Sequence, residues 1–209
     1  MMKRCALVFV LSIGFVFSVY GQGLGFVAVQ EGGRITITGY NGTARDVVIP
    51  AEVNGIPIVA IGARAFANNQ LTSVTIGNSV TSIGEMAFAN NRLTSVTIGN
   101  SVTSIGKEAF QHNQLTSVTI GNSVTSIGEW AFFRNQLTSV TIPNSVTSIG
   151  HGAFQDNPLT SVTIGANVRL SGSFDSWFQS TYDSGGRQAG TYTRADANAT
   201  VWTRGAFTF

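Results

Sequence analysis

The sequence predicts a mainly β solenoid. Short parallel strands wind into stacked 22-residue coils, capped by an N-terminal hairpin and a C-terminal helix and hairpin. Three observations carry this. A unit recurs almost verbatim: LTSVTIGNSVTSIG, two free positions, Ala-Phe, two free positions, Asn and one last free position. Leu71, Leu93, Leu115, Leu137 and Leu159 open successive copies, and Phe66, Phe88, Phe110, Phe132 and Phe154 recur at the same spacing. Within a copy, spacing assigns the core: Leu71, Val74 and Ile76 point inward, and Ser73 and Thr75 point out. A fixed period of this length describes units that each stack only on their neighbours.

The chain opens with the layout of a secretory signal peptide over residues 1–21. Lys3 and Arg4 precede an apolar run from Cys5 to Tyr20, and cleavage is expected after Gly21. The run is shorter than the roughly 20 residues of a spanning helix, so an uncleaved anchor is the weaker reading. The glycines around Gly23 have no strand-turn-helix context and are not a nucleotide fingerprint. Twelve basic residues face ten acidic ones. Lys3 and Arg4 leave with the leader, which brings the counts level. A neutral mature chain gives no reason to expect nucleic acid or anionic membrane as partner. Cys5, the only cysteine, leaves too, so disulfide and thiol chemistry go with it.

Residues 22–45 read as an N-terminal cap. Phe26 to Val29 and Arg34 to Thr38 are β-prone runs joined by Glu31-Gly32-Gly33, the pattern of a hairpin. The solenoid follows over 46–170. Its first coil, Asp46 to Gln70, carries a five-residue insertion around Val53-Asn54-Gly55-Ile56-Pro57. Four full copies run 71–92, 93–114, 115–136 and 137–158, and a half copy follows. Residues 171–209 break the repeat and read as a C-terminal cap. Phe174, Trp177, Phe178 and Tyr182 are spaced for a short amphipathic helix after Ser173, ended by Gly185-Gly186. Thr191–Arg194 and Thr200–Thr203 then suggest a closing hairpin. Caps are required because an open solenoid end exposes core and unpaired strand edge.

Each core position is expected to stack on its equivalent one coil away, about 4.8 Å distant. Val80 and Ile83 fill a second side, and Ala87 and Phe88 a third. The phenylalanines form a column, and Asn69, Asn91, Asn113, Asn135 and Asn157 form another whose buried amides bond turn backbone. Pro143 replaces a turn glycine outside the strand, where no ladder bond is lost.

The pattern Leu-x-x-Val-x-Ile, Val-x-x-Ile-Gly-x-x-Ala-Phe-x-x-Asn resembles the BspA-like (Treponema-type) leucine-rich repeat. The resemblance covers about residues 26 to 170, and Ala189 to Arg194 is similar to tails in the same family. Members often have Cys where this chain has Asn, and Pro after the first strand, which only Pro50 and Pro143 match. The resemblance implies an exported bacterial surface protein. Some members of that family bind host matrix or plasma proteins, or other cells, and the resemblance fixes no ligand.

Candidates for catalysis are sparse. His112 and His151 sit nearly two repeats apart, with no Ser-His-Asp or Cys-His grouping. Glu85, Lys107, Glu129 and His151 share one column and read as a solvated charge ladder. Glu85 and Glu129 lie two coils apart, about 9–10 Å on strand spacing, near the upper limit for an inverting glycosidase pair, but Lys107 stands between them. Asp156 and Asp175 read as isolated, and no calcium-loop spacing appears. No metal and no cofactor is expected.

The free positions carry more information, because stacking explains the frozen ones. One copy stands out with Trp130, Phe133 and Arg134, residue types common at interface hot spots. They are expected to centre a protein-binding patch rimmed by Gln111, His112 and Asp156. The competing reading has Trp130 and Phe133 packing over the neighbouring coil or the tail. On the concave face, Ser73, Thr75, Ser95, Thr97, Ser117, Thr119, Ser139 and Thr141, continued by Ser161 and Thr163, form a hydroxyl grid. Such rows also suit a glycan or an ice lattice, although Thr is simply a good strand residue.

The expected protein is therefore exported, to the cell surface, the exterior or the periplasm. It is non-enzymatic and binds protein in adhesion or host-matrix interaction. A glycan is a possible second partner, and no membrane span is expected after signal cleavage. A passive envelope component and a polysaccharide hydrolase are the rival readings. One sheet face offers roughly 500 Å², below the about 800 Å² per partner of a standard interface, so an edge or many copies must contribute.

Overall fold

The computed structural model describes residues 15–19 (backbone only), 25–172, 174–175 and 177–205. Most of the expected signal peptide lies outside the described residues. Its Phe15–Val19 stretch forms strand β1, antiparallel to β2, Phe26–Glu31.

The N-terminal hairpin is present. β2 pairs with β3, Arg34–Tyr40, across Gly32 and Gly33. Both glycines have positive φ, as a tight hairpin turn requires. The first coil supplies β4 (Asp46–Val48), β5 (Glu52–Val53) and β6 (Ile56–Ile61). Its insertion is itself a hairpin: β5 and β6 pair antiparallel around Asn54-Gly55. The four full copies then give β7 (Ser73–Thr75) and β8 (Ser82–Ile83), β9 (Ser95–Thr97) and β10 (Ser104–Ile105), β11 (Ser117–Thr119) and β12 (Ser126–Ile127), β13 (Ser139–Thr141) and β14 (Ser148–Ile149). The half copy gives β15 (Ser161–Ile164) and β16 (Arg169–Leu170).

One side of the solenoid is a continuous sheet. Its order is β1-β2-β3-β6-β8-β10-β12-β14-β16, with β5 on β6. The Ser-Ile strands stack in exact 22-residue register, Ser82 to Ser104 to Ser126 to Ser148. The frozen glycines have a steric cause: a Cβ on Gly106 or Gly128 would meet the preceding coil's backbone within 2.8 Å.

The Ser-Val-Thr side differs from expectation. Its strands pair in doublets, β4 with β7, β9 with β11, and β13 with β15. β7 and β9 do not pair, nor do β11 and β13. Glycine spacing repeats the alternation. A Cβ on Gly121 would strike Gly99 O at 2.4 Å, whereas one on Gly99 would meet nothing closer than Asn78 Oδ1 at 3.9 Å. The expected unbroken hydroxyl grid is therefore corrected to paired rows separated by gaps. The other two sides already hold the coils together, through the Ser-Ile ladder and turn bonds such as Phe88 N–H to Ala109 O, so the third side can open.

The core follows the assigned columns. Leu71, Val80, Ala87, Phe88 and Phe110 are fully buried. Phe66, Phe88, Phe110, Phe132 and Phe154 stack with centroids 5.1–5.4 Å apart and planes within 13°, a geometry that adds about 0.5–1.5 kcal/mol per pair beyond area burial. The column runs into both caps, onto Tyr40 at one end and Phe174 and Phe178 at the other. The asparagine column is satisfied throughout. Asn113 Nδ2 donates to Phe88 O and Phe110 O, and its Oδ1 accepts from Leu93 N–H.

The C-terminal cap has the expected parts with shifted bounds. Helix α1 spans only Phe178–Ser184 and ends at Gly185. Phe174 precedes it, and Ser173 lies outside the described residues. Trp177 was expected on the apolar face; it stands at the helix start, half exposed, while Phe178 and Tyr182 go inward. The closing hairpin is β17 (Gly190–Thr193) and β18 (Thr203–Arg204), and β17 adds antiparallel to β15. Among the described residues, no helix is long and apolar enough to cross a membrane.

Candidate functional site

The Ala-Phe side of each coil is built around two residues in the left-handed region. Met86 and Asn90, Glu108 and His112, Trp130 and Arg134, Gly152 and Asp156 all have φ between 53° and 63°. These are free positions of the repeat. An αL residue turns the chain and throws its side chain off the buried column, so identity there is set by what lies outside the core. For a residue as bulky as Trp130 the conformation is an outlier with an energetic cost.

The third full copy, 115–136, and its two neighbours bring together rings from three coils. Trp130 meets Phe133 edge-to-face at 4.8 Å and His151 at 4.9 Å. Phe133 in turn meets His112 at 5.7 Å, near perpendicular. Arg134 places its guanidinium 5.0 Å from the Phe133 centroid, and its Nε donates to Asp156 Oδ2 at 3.2 Å. Trp130, Phe133 and His112 are half-buried; Arg134, Asp156 and His151 are exposed. Of the six residues expected to form a patch, five thus come together. Gln111 instead turns its amide to Glu108, Nε2 to Oε2 at 2.8 Å.

The structure adds two residues to this site. His151 closes the aromatic row, and Gly152 forms the floor under Trp130, where a Cβ would meet the indole at 2.5 Å. Column alignment carried a signal for Gly152, the one glycine where the other copies place Arg64, Met86, Glu108 and Trp130. His112 and His151 are two repeats apart in sequence but joined through Trp130 and Phe133.

Asp156 and Asp175 are not isolated. Asp156 pairs with Arg134, and Asp175 with Arg194 at 3.0 Å, both side chains of the second pair nearly inaccessible. The charge ladder is present in part: Lys107 Nζ lies 4.0 Å from Glu129 and 3.6 Å from Glu108. At the grid's start, Asp46 accepts from the hydroxyls of Thr72 and Ser73, and these bonds hold its carboxyl below the ordinary range.

Two clefts open on the Ser-Val-Thr side. One, of about 410 Å³, lies between β7 and β9 and is lined by Ser73, Thr75, Asn78, Ser95 and Thr97 with Val and Ile behind. The other, of about 580 Å³, lies beside β13, β15 and β17 and includes Asn122, Thr141, Asn144, Thr163 and Thr191. Neither lining holds a carboxylate, an imidazole or a thiol, so neither offers an acid-base pair. Among the described residues, no group of three or more His, Cys, Asp or Glu could hold a metal ion.

The coils, the stacked columns and the repeat pattern define a leucine-rich-repeat solenoid. The chain belongs to the family described as BspA type leucine rich repeat region, whose pattern matches residues 59–180 in six copies. No curated protein sequence matches the chain. Among solved structures, it is similar to a leucine rich cell surface protein from Faecalibacterium prausnitzii A2-165, at 28% identity over 73% of this chain and 55% of that one, with a TM-score of 0.39. It is similar to the pneumococcal vaccine antigen PcpA at 18% identity over 79% of this chain and 51% of that one, with a TM-score of 0.54. The leucine rich repeat protein TpLRR of T. pallidum is 22% identical over 73% of this chain and 81% of that one, with a TM-score of 0.44. The likeness to the pneumococcal antigen supports the fold. The chain spans only 55% and 37% of the length of the first two structures it matches.

Proposed function

We propose that this chain is an exported, non-enzymatic protein-binding member of its family, acting at the cell surface in adhesion to host matrix or other surface proteins. The leader-like segment before residue 22 supports export. The row of His112, Phe133, Trp130 and His151 with Arg134 and Asp156 carries the binding reading. These side chains occupy free positions that stacking leaves unspecified. His112, Trp130, Arg134 and Asp156 are in the αL region, and Trp130 takes that conformation at an energetic cost. Rigid aromatic rings beside an arginine are the composition of an interface hot spot. The solvent-facing ion pair of Arg134 and Asp156 contributes little to stability and is available to a partner.

The test is a titration of the mature chain against immobilised host matrix and plasma proteins, repeated with Trp130→Ala. A hot-spot tryptophan should lose about 2 kcal/mol or more, close to thirtyfold in Kd. A partner bound equally by both would refute the patch. No binding across the panel favours the passive envelope component. Turnover of polysaccharide that vanishes in Glu129→Gln would overturn the non-enzymatic assignment.

A further inference from the structure

We infer that the mature chain dimerises through β2, joining two solenoids edge to edge in one continuous sheet. The inference rests on the proposed removal of residues 1–21. In the full chain β2 has two neighbours, β3 on one side and β1 on the other. β1 runs antiparallel to it, from Phe15 opposite Gln30 to Val19 opposite Phe26. The leader strand therefore sits where another strand belongs. Cleavage after Gly21 takes it away and leaves the six-residue edge Phe26–Glu31 open.

That edge lacks the usual protections. It holds no proline and no lysine, and its one charge, Glu31, stands at the end. Long, apolar, unpaired edges recruit another strand. A second copy fits the geometry. Identical strands related by a two-fold axis run antiparallel, the direction β1 already takes. Core continuity restricts the register. Phe26 and Ala28 face the core at 2% and 1% exposure, so core-facing residues must oppose one another across the join, and a one-residue slip would turn them to solvent. Of the registers that do so, the one with Ala28 on the axis pairs Phe26 through Gln30 and leaves the charged Glu31 outside, and in it Val27 faces the partner copy's Val29 on the outer side. No like charges meet. The dimer would present two Trp130 patches on one rigid body, and a second contact adds avidity without a stronger first one.

Sedimentation of a chain beginning at Gln22, beside one retaining residues 1–21, reads the pairing directly. The shorter chain should be a dimer and the longer a monomer. Ala28→Cys adds the only thiol to the shorter chain, since Cys5 is the sole native cysteine. Directly opposed residues of antiparallel strands lie about 4.5–5.5 Å apart at Cα, within disulfide range. Mild oxidation should therefore cross-link A28C well ahead of V48C, a 58% exposed control on β4. The double variant Val27→Lys, Val29→Lys puts like charges opposite each other on the outer face and should give a folded monomer. A monomer for the Gln22 chain at all concentrations, or a dimer untouched by the lysines, overturns the pairing. Monomers that bind a peptide spanning Phe15–Val19 would overturn the second copy in favour of strand capture. An exported protein that still begins at Met1 sinks the premise of cleavage instead, and N-terminal sequencing separates the two failures.

Discussion

Trp130 rests on Gly152 of the next coil. A Cβ at Gly152 would come within 2.5 Å of Cε3 and Cζ3 of the indole, and Gly152 itself has φ of 63°. The ring's position therefore depends on a missing side chain. Gly152→Ala should displace the indole and cost about 1–3 kcal/mol, the range for overpacking. In a Trp130→Ala background the same change should cost much less, leaving only the strain of a Cβ at positive φ. A double-mutant cycle by chemical denaturation measures the difference. Additive costs would mean that the two residues do not touch in solution.

Phe110 is fully buried, with stacked rings at 5.2 Å and 5.4 Å on its two sides. Phe110→Ala should cost about 3–5 kcal/mol. Gln111→Ala, next in sequence, removes one partly exposed hydrogen bond to Glu108 and should cost about 1 kcal/mol or less. Thermal melts of the two variants separate core column from surface. Matching melting temperatures would contradict the columns.

The columns were legible because the repeat prints them: a residue recurring every 22 positions has the same environment in every coil, so one assignment serves five times. The doublets of the Ser-Val-Thr side were not legible, since identical strands Ser95–Thr97 and Ser117–Thr119 pair with each other while Ser73–Thr75 turns the other way. Identical sequence cannot encode an alternation, which comes from coil-to-coil packing. The aromatic patch was legible in its tryptophan and arginine. His151 was not, because it entered as a member of the charge column, and its contact with Trp130 depends on the αL turn.

The C-terminal cap was legible in outline, but not its centre. Arg194 reaches Asp175 at 3.0 Å with side-chain exposures of 4% and 9%, bonds Leu159 O and Ala199 O, and lies 4.7 Å over Trp202. Nothing in the spacing of residues 175 and 194 announces a pair. Arg194→Met strands a buried carboxylate and should cost about 3–5 kcal/mol, whereas Arg194→Met with Asp175→Leu should recover much of the loss. Urea melts would check both. A double variant no better than the single one would show that the bonds to Leu159 and Ala199, and not the ion pair, hold the cap.

The same cap should contribute to the alkaline limit of the fold. Burial pushes the Tyr182 and Tyr192 hydroxyls above their ordinary value of 10.0. The folded state thus keeps protons that the unfolded chain releases. Stability is full below about pH 10 and falls as pH rises through the raised folded values. Burial raises the Tyr40 hydroxyl of the N-terminal cap in the same direction, and that residue is common to both proteins compared below. Tyr182 donates to Gly165 O at 2.6 Å and accepts from Val168 N–H at 3.0 Å. Tyr182→Phe should therefore cost about 1–3 kcal/mol at neutral pH, by leaving those groups unpaired. It should also flatten the loss above pH 10, because one raised hydroxyl is gone. Denaturation midpoints of both proteins at neutral pH and through the alkaline range decide it. Parallel curves, separated by the same amount at every pH, would show that Tyr182 does not couple ionisation to unfolding.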